Sequence, residues 1–530
     1  MDTLNSSPCQ SSTASDSRPM IPLPRPGRLL SDFAADVAVA MQSAGLYRQD
    51  GEPVVLQPGT SRLVPVSAGM FRSFGERSFI PTTRKRVGKA EDGTSLYEDV
   101  PDTMSKTTAE GVVASVDFVA GLRPLGRIMP VSMPTFSEDG KLILLSEGYH
   151  PRTEVLVLTG LEYETWPLQV AVDYLRELLR EFPLAKDGGR SLSVQVAAML
   201  TRFAILLLPP EAQVPFFIWN ANSQRVGKTL LAKMVEIPVA GHAALRTLAG
   251  EEEEVAKILD SEVLAGSPSI IFDNVTGKIE SAALDQFGTS AVHAGRRMGG
   301  NKTFRIPKQT MVMLTANMAT TSTDIAFRSL FVDLFSDEAD PQRRVIEKPI
   351  GDSWLMRPEN RFQILSSLWS IVHAWAASGG PEGKSRLVGF EDWSRVFGGI
   401  VEFAGFGDPL RKPEGEFGDH EQREMFDLVR VMAEGAFQET AVPWPVREGI
   451  TFSNLISICR DHGIFDEEIQ GRVDRETKEF TIFEKSKSKM AKVYARYNGR
   501  TFHLGGELGS VKLERIETTK GRDGRLWRVR

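Results

Sequence analysis

The feature that most constrains this chain is the stretch at residues 215–233, which reads PFFIWNANSQRVGKTLLAK. Residues 216–219 form a short apolar run, which is typical of a buried strand. Gly227, Lys228 and Thr229 follow it, and a helix-forming run begins at Leu230. Strand, loop, Gly-Lys-Thr and helix is the arrangement of a phosphate-binding loop. This order predicts an α/β domain built on a parallel sheet.

The residues predicted to bind nucleotide are those of the loop and the helix start, namely Asn222, Ser223, Gln224, Arg225, Val226, Gly227, Lys228, Thr229 and Leu230. N–H groups at the helix start bind phosphate oxygens. Lys228 would reach the β- and γ-phosphates, and the Thr229 hydroxyl would hold Mg²⁺. The match is imperfect, because Asn222 stands where a glycine is usual and Arg225 lies inside the loop. Asn tolerates positive φ better than most residues. An ordinary strand–turn–helix with an exposed lysine is the alternative.

Two later apolar runs also end in polar residues. Residues 267–272 lead into Asp273 and Asn274, and residues 310–314 lead into Thr315, Ala316 and Asn317. A carboxylate at a strand tip beside a phosphate loop is where a Mg²⁺ ligand is needed. A polar residue at the next tip, Asn317, can orient the attacking water. These tips, taken in order with Lys228 and Thr229, predict a nucleotide-hydrolysing core that uses ATP and Mg²⁺.

Arg328 lies eleven residues after Asn317, on a short segment that also carries Asp324. From there it could reach the nucleotide of a neighbouring subunit, which would imply assembly. Alternatively, Arg328 pairs with Asp324 one helical turn away and only caps a helix. The four glutamates at 251–254 open a predicted helix, as the helix dipole favours. One of them could instead supply a catalytic base.

Composition limits the classes of protein to consider. The chain has 530 residues, with 41% apolar and 25% charged, which indicates a soluble protein of several domains. Its formal charge of −6 gives no general reason to expect nucleic acid. Two cysteines exclude a disulfide framework and fit a reducing cytoplasm. No signal core is present at the N-terminus. The apolar stretch at 194–208 is interrupted by Arg202 and is too short to span a bilayer, so we expect no membrane partner.

The chain divides into five predicted parts. Residues 1–28 are rich in Ser and Pro and are predicted to be a disordered tail. A mixed α+β domain at 29–160 precedes the nucleotide-binding core at 161–345. Helical patterns at 346–440 predict a helical lid region, and Pro443 and Pro445 mark a linker. Residues 441–530 form a basic module.

Three segments have the composition of nucleic-acid contacts. Residues 72–89 interleave basic residues with phenylalanines, which suits single-stranded nucleic acid, or else form a solvated loop whose phenylalanines are core. Residues 293–305 are Gly-rich and basic, and could form a hairpin whose Arg296, Arg297 and Lys302 point into a central channel; a solvated loop is the alternative.

The third segment is the C-terminal module. A helix at 452–459, a basic helix at 485–497 and short strands at 511–516 and 526–529 follow the order of a winged helix. Residues 485–530 contain 13 Lys and Arg against 4 Asp and Glu. A basic module on an acidic chain indicates nucleic-acid binding, and a solvated basic tail is the alternative. The DNA contacts assigned here are Lys485, Lys487, Lys489, Lys492, Arg496 and Arg500.

Several motifs together resemble a known family, the helicase proteins of phages, prophages and integrative elements, whose ATPase belongs to the AAA+ and superfamily 3-like group. The resemblance covers roughly residues 122–530, including a C-terminal end, residues 494–530, that is similar to the winged helix of those proteins. Its motifs are residues 136–140 (FSEDG) with 148–149 (GY), 181–183 (EFP), 227–232 (GKTLLA), 271–275 (IFDNV), 315–317 (TAN) with Asp324 and Arg328, and 389–393 (GFEDW) with 398–399 (GG).

The resemblance implies roles for single residues. Lys228 and Thr229 would bind nucleotide and Mg²⁺, Asp273 would be the Walker B acid, Asn317 would be sensor 1 and Arg328 an arginine finger. The group often has Asp-Asn where other AAA+ ATPases have Asp-Glu, which fits Asn274. Some relatives carry a primase domain, but no Asp-x-Asp with a matching His precedes Gly160, so no primase activity is predicted.

The fold implied is α/β, an AAA+-type P-loop core with a mixed α+β N-terminal domain, a helical lid region and a C-terminal winged-helix domain. The function implied is an ATP-hydrolysing, hexameric ring motor on single-stranded or forked DNA, a replicative helicase of a phage or mobile element in the bacterial cytoplasm. A DNA-binding initiator or helicase loader that uses ATP as an assembly switch is one alternative. A nucleotide-binding scaffold without motor activity is the other.

Overall fold

The computed structural model of the protein describes most of the chain. The described residues are 17–185, 187–221, 225–275, 278–297, 302–317, 319–334, 347–411, 420–437, 446–466, 468–474, 480–499, 501–505, 508–517 and 525–530.

The N-terminal part packs four helices against two small sheets, with strand orders β4-β3-β2-β7 and β1-β5-β6. Its elements are β1 (Met20–Pro22), α1 (Leu30–Met41), β2 (Leu46–Gln49), β3 (Glu52–Leu56), β4 (Leu63–Pro65), α2 (Ala68–Ser78), β5 (Ile80–Lys89), β6 (Ser95–Pro101), α3 (Lys106–Val113), α4 (Val116–Gly121) and β7 (Arg123–Pro124). The predicted disordered tail reaches too far, because β1 pairs in parallel with β5 and buries Ile21.

The basic segment at 72–89 is a helix end followed by strand β5, rather than a loop. Phe71 and Phe79, which flank its helical part, are fully buried, so its aromatic residues belong to the core. Arg84 and Lys85 stand opposite Asp99 and Glu98 on β6. Because each of these cations faces a carboxylate, the segment forms no uniformly basic surface.

Short strands follow in the stretch predicted to consist of strands and turns. They are β8 (Arg127–Met129), β9 (Pro134–Phe136), β10 (Leu142–Leu144), β11 (Gly148–His150) and β12 (Val155–Val157). Met129, Met133 and Val157 lie in the same hydrophobic core as the helices that come next. This part of the predicted N-terminal domain therefore packs on the central domain.

The central domain is built on a five-stranded parallel sheet with the order β14-β15-β19-β13-β21. Its elements are α5 (Leu168–Leu179), α6 (Arg190–Ala204), β13 (Phe216–Ala221), α7 (Lys228–Ala240), β14 (Leu245–Arg246), α8 (Glu252–Leu264), β15 (Ser269–Val275), β16 (Lys278–Ile279), α9 (Ala282–Thr289), β17 (Val292–Arg296), β18 (Thr303–Pro307), β19 (Met311–Asn317), β20 (Thr320–Thr321), α10 (Thr323–Phe327) and β21 (Ser329–Leu334). The three predicted strands at 216–219, 267–272 and 310–314 are confirmed as β13, β15 and β19.

Alternating side chains of the sheet enter two separate cores. On β13, Phe217 and Trp219 join α5, α6 and α7 on one face, whereas Phe216 and Ile218 join α8 and α9 on the other. Both faces are covered, which explains why the strands are continuous apolar runs. The result is a three-layer arrangement with helices on both faces of the sheet.

Helix α6 contributes a buried ion pair to this core. Arg202 donates from Nε and Nη2 to the Glu236 carboxylate of α7, at 2.6 and 3.0 Å. Within the described residues, the stretch Arg190–Leu207 is long and apolar enough to cross a membrane, contrary to our expectation of a stretch too short to do so. However, 83% of that stretch is buried inside the protein, as in the core helix of a soluble protein.

The predicted helical region contains α11 (Asp352–Leu355), α12 (Pro358–Ala377), α13 (Glu391–Trp393), a π-helical turn at Ser394–Gly398 and α14 (Gly399–Phe403). Leu365, Leu368 and Val372 of α12 lie in the core shared with α5, α6 and α7. The region is thus attached to the sheet domain through apolar contacts, and its role as a lid stays a prediction.

The C-terminal part has its own core, built from α15 (His420–Phe437), α16 (Phe452–Asp461), β22 (Gly471–Val473), β23 (Phe480–Ile482), α17 (Glu484–Tyr497), β24 (Thr501–Gly505), β25 (Gly509–Glu517) and β26 (Arg525–Val529). The two helices and the later strands agree with the predicted order, and the β22–β23 hairpin between the helices was not predicted. Helix α15, which we assigned to the lid, buries Met425, Leu428 and Val429 in this core. The predicted boundary at residue 441 is therefore too late.

Candidate functional site

The described parts of the connection between β13 and α7 are the strand end, residues 225–227 and the helix start. Strand β13 ends at Ala221 and α7 begins at Lys228, capped by Gly227 with a φ of +103°. A side chain at Gly227 would be strained by that backbone, and its Cβ would lie 3.0 Å from the Phe182 ring. Arg225 is exposed and has a φ of +63°, so a non-glycine residue takes a left-handed conformation here. Asn222, Ser223 and Gln224 lie outside the described residues.

The strand register brings the three predicted tips to one edge of the sheet. Ala221 of β13 is aligned with Asn317 of β19, and Asp273 follows Phe272 of β15, which is aligned with Leu314. The carboxyl ends of parallel strands meet at the same edge, where α/β proteins bind their ligands. Lys228, Thr229, Asp273, Asn274 and Asn317 are therefore brought together, as the sequence predicted.

One hydrogen-bond cluster at this edge is centred on Asp273. Its Oδ1 accepts from the Thr229 hydroxyl at 2.6 Å and from the Thr315 hydroxyl at 2.6 Å. The Thr315 oxygen in turn accepts from the backbone N–H of Asn274 at 2.9 Å. The sequence analysis gave Thr315 no role. The available clue was a hydroxyl in an apolar strand, because a buried hydroxyl needs hydrogen-bond partners.

The second cluster joins Lys228 to the two asparagines. Lys228 Nζ donates to Asn317 Oδ1 at 2.5 Å, and Asn317 Nδ2 donates to Asn274 Oδ1 at 3.1 Å. Burial lowers the pKa of Lys228, and the nearby Asp273 carboxylate opposes that shift. The lysine thus contacts an amide oxygen and lies near a carboxylate.

The donor set fits a magnesium–nucleotide complex. A threonine hydroxyl in contact with a carboxylate provides the hard oxygen ligands that Mg²⁺ prefers. Within the part of the chain that the structure describes, no three His, Cys, Asp or Glu side chains cluster in a way that could hold a metal ion. A metal at Thr229 and Asp273 would therefore share its coordination with phosphate oxygens and water, as in phosphoryl-transfer sites.

Arg328 lies at the other end of the strands, where β13 begins. Its carbonyl accepts from Phe216 N–H, at the start of β13, whereas the loop follows Ala221 at the other end. The five residue steps from Phe216 to Ala221 place the two ends of β13 about 17 Å apart. Arg328 Nη1 donates to the Asp324 carbonyl at 2.7 Å and lies 3.5 Å from Asp285 Oδ1. Arg328 thus lies too far from the loop of its own chain to contact a nucleotide bound there. Its contacts are the local ones of the capping alternative.

The glutamates at 251–254 make local contacts. Glu252 accepts from the Ser281 hydroxyl and from Ala283 N–H, both at 2.9 Å, and so caps the start of α9. Glu253 and Glu254 pair with Lys257 on the same helix. These contacts support the helix-start explanation for this run.

The segment at 293–305 forms a hairpin, the antiparallel pair β17–β18, and its position in a central channel stays a prediction. Arg296 is exposed. Arg297 Nη2 lies 3.6 Å from Asp50 Oδ2, and Lys302 Nζ lies 2.8 Å from Glu52 Oε1. The two acids belong to the β2–β3 turn of the N-terminal part. These two intrachain ion pairs were not predicted from the sequence. They compete with the DNA contacts predicted for Arg297 and Lys302.

Four of the six basic residues predicted to contact DNA in this module are exposed on helix α17. Ser486, Met490, Val493 and Tyr494 are buried, whereas Lys485, Lys487, Lys489 and Lys492 are exposed. Arg496 belongs to the same helix, and Arg500 lies outside the described residues. Among the described residues, Lys487 Nζ lies 3.8 Å from Glu484 Oε1 and Lys489 Nζ lies 3.7 Å from Glu468 Oε1. The helix therefore offers a cluster of solvated lysines.

Comparison with known proteins gives distant similarities only. No family model matches the chain, and no curated protein matches it. Among solved structures, the chain is similar to the C-terminal region of NrS-1, at 11% identity and a TM-score of 0.37, over 84% of this chain and 98% of that one. It is also similar to the SCCmec type IV Cch helicase, at 9% identity and a TM-score of 0.27, over 85% and 98% of the two chains.

A third similarity is to the JCV helicase, at 13% identity and a TM-score of 0.22, over 45% of this chain and 66% of that one. Such low identities and TM-scores assign no activity to this chain. The proposals below therefore rest on its own residues.

Proposed function

We propose that this protein is an ATP-hydrolysing DNA motor of the helicase type. The observation that carries the nucleotide part is the convergence of three strand tips, where Lys228 contacts Asn317 and Thr229 contacts Asp273. Three separate segments of sequence supply these groups to one edge of a parallel sheet. An ordinary strand–turn–helix does not require such a cluster.

Each residue has a defined task in this proposal. The N–H groups of the first turn of α7 and the Lys228 ammonium bind the phosphates, because anions are favoured at a helix N-terminus. Thr229 and Asp273 hold the metal, and Asn317 and Asn274 orient the attacking water with their amide groups. When bound at Thr229 and Asp273, Mg²⁺ would supply positive charge that offsets the negative charge developing on the transferred phosphoryl group.

The exposed lysines of α17 support action on DNA, because they offer charge for phosphate contacts, which dominate affinity for nucleic acid. Arg328 lies at the end of the sheet remote from its own loop, so its proposed contact with a nucleotide requires a neighbouring subunit. A hexameric ring and an origin in a phage or mobile element come from the family resemblance and belong to the proposal.

The test is ATP turnover by purified protein carrying Lys228→Ala, beside the matched variant Lys233→Ala. Lys233 lies on the same helix and pairs with Asp352 at 2.6 Å. Lys228→Ala should abolish turnover, whereas Lys233→Ala should retain it. Undiminished turnover in folded Lys228→Ala protein would refute the nucleotide site.

A strand-displacement assay with ATP, run beside a sizing measurement with and without nucleotide, tests the motor part. Single-stranded DNA should stimulate turnover, and strands should separate. Nucleotide-dependent assembly without strand separation would instead identify an initiator or loader.

A further inference from the structure

Strand β15 contains an irregularity at the residues proposed to hold the metal. Phe272 is aligned with Leu314 and Val275 with Ala316, so two residues, Asp273 and Asn274, face the single residue Thr315. Asn274 has a φ of +55°. Two residues opposite one is a β-bulge, a device that re-aims side chains next to active sites.

We infer that Thr315 is a positioning residue whose hydroxyl holds this bulge and thereby aims Asp273 at the metal site. The inference rests on the proposed function, because it concerns the same magnesium–nucleotide site. It adds a residue that touches neither nucleotide nor metal. Its role is to act through Asp273.

The hydroxyl of Thr315 is bonded on both sides. It donates to Asp273 Oδ1 at 2.6 Å and accepts from Asn274 N–H at 2.9 Å. A threonine hydroxyl has one donor, so the proton given to Asp273 leaves the oxygen free to accept. Thr315 is fully buried, so water cannot replace the hydroxyl if it is removed. Both residues of the bulge are thus tied to one side-chain oxygen.

The hydrogen bond from Thr315 orients the Asp273 carboxylate independently of Thr229, whose oxygen would also hold the metal. Both hydroxyls donate to the same carboxylate oxygen. Thr229 lies in helix α7, whereas the second donor is the hydroxyl of Thr315 in β19, the strand that pairs with the bulged strand. Without the Thr315 hydroxyl, the Asn274 N–H loses its acceptor, and the bulge can relax towards a regular ladder. A slip of one residue turns a strand's side chains to the other face, which would move Asp273 away from the site.

The competing explanation is that Thr315 only fills space, as β-branched residues do in strands. Thr315→Val separates the two explanations, because valine keeps the shape and loses the hydroxyl. Thr315→Ser keeps the hydroxyl and loses a methyl group. Thr201→Val is the matched control, since Thr201 is also fully buried and its hydroxyl donates to the Ala197 carbonyl at 2.7 Å, remote from the proposed metal site in helix α6.

The first measurement is binding of a fluorescent ATP analogue as Mg²⁺ is titrated. Loss of a residue that orients a metal ligand typically costs 10- to 100-fold in metal affinity. Thr315→Val should therefore need at least about tenfold more Mg²⁺ for half-maximal enhancement of binding, with binding in the presence of a chelator unchanged. Thr315→Ser should restore the Mg²⁺ requirement, and Thr201→Val should leave it unaltered.

The second measurement needs no metal. Hydrogen exchange in the peptide that contains Asn274 should be faster in Thr315→Val than in the unsubstituted protein or in Thr315→Ser. An unchanged Mg²⁺ requirement and unchanged exchange in folded Thr315→Val would overturn the inference, as would a serine variant as defective as the valine one. If the unsubstituted protein itself lacks Mg²⁺-dependent nucleotide binding, the proposed function fails first, so the two failures are distinguishable.

Discussion

Lys228 and Asn317 are in direct contact, with the lysine Nζ 2.5 Å from the asparagine Oδ1. The contact joins the start of α7 to the tip of β19. Since Asn317 Nδ2 also donates to Asn274 Oδ1, one amide group orients both a cation and a second amide. A substitution at Asn317 should therefore disturb the proposed nucleotide site more than the fold.

The first prediction concerns Asn317→Ala. Removing one group that stabilises or orients reacting atoms typically lowers kcat by 10²- to 10³-fold. We expect ATP turnover to fall about 100-fold and ATP affinity to change by less than about threefold. Asn360→Ala is the control, since Asn360 donates to the Trp354 carbonyl at 2.8 Å and is not among the residues of the proposed site. Parallel losses of affinity and turnover would show that Asn317 contributes to ground-state binding instead.

The second prediction concerns the lysines of α17. Replacing Lys485, Lys487, Lys489 and Lys492 by Ala should weaken DNA binding and reduce its salt dependence. Each phosphate contact contributes about 0.7 to 0.9 to the slope of log affinity against log salt, so the slope should fall by up to about three. Fluorescence anisotropy over a salt series measures this. Lys106→Ala with Lys141→Ala, both exposed and outside the module, should leave the slope unaltered.

The third prediction concerns the Arg202–Glu236 pair, both of whose residues are buried. Removing one partner leaves a buried charge unpaired, which lowers the free energy of unfolding by roughly 3–5 kcal/mol. Arg202→Ala should lower the free energy of unfolding by about that amount, measured by urea denaturation. The double variant Arg202→Met with Glu236→Met should be more stable than Arg202→Ala alone. Lys106→Ala, which breaks an exposed pair with Glu110, should cost less than about 1 kcal/mol.

The sequence predicted the strands and the polar tips of the site because local rules determine them. Apolar runs such as residues 216–219 are buried on both faces of a parallel sheet, and parallel strands bring their carboxyl ends to one edge. Placing Asp273 and Asn317 near Lys228 therefore required only the strand order. The helices predicted at 452–459 and 485–497 agree with α16 and α17 to within two residues.

Contacts between segments remote in sequence could not be predicted. The bonds of Thr315 to Asp273, of Arg202 to Glu236 and of Lys302 to Glu52 depend on how layers pack, and no local pattern encodes that packing. The same limitation explains why the tail was extended over Met20–Pro22, since that strand exists only through its pairing with β5. It also explains the boundary error at α15, whose apolar face is covered by the C-terminal core.

The fourth prediction is a pH dependence that involves Lys308. Burial lowers the pKa of Lys308 from 10.5 to about 8, and its Nζ lies 4.0 Å from the Phe287 ring centroid. Between these two values the unfolded chain binds more protons than the folded protein, so stability should rise with pH in that window. Lys308→Met should remove this slope and stabilise the protein below pH 8, by less than about 3 kcal/mol. Thermal unfolding of both proteins from pH 7 to 10 tests it.

The last prediction concerns Arg328, which lies at the edge of the sheet opposite to its own loop. An arginine supplied in trans contributes on the order of 10³-fold or more to turnover. Arg328→Ala should therefore bind ATP nearly normally and hydrolyse it poorly. Mixing it with Lys228→Ala protein should restore some turnover, because a mixed assembly contains interfaces with one intact Lys228 and one intact Arg328. The capping alternative, based on the contacts of Arg328 with Asp285 and Asp324, predicts lowered thermal stability and no recovery on mixing. Failure to recover, with exchange of subunits demonstrated, would exclude the trans-acting role.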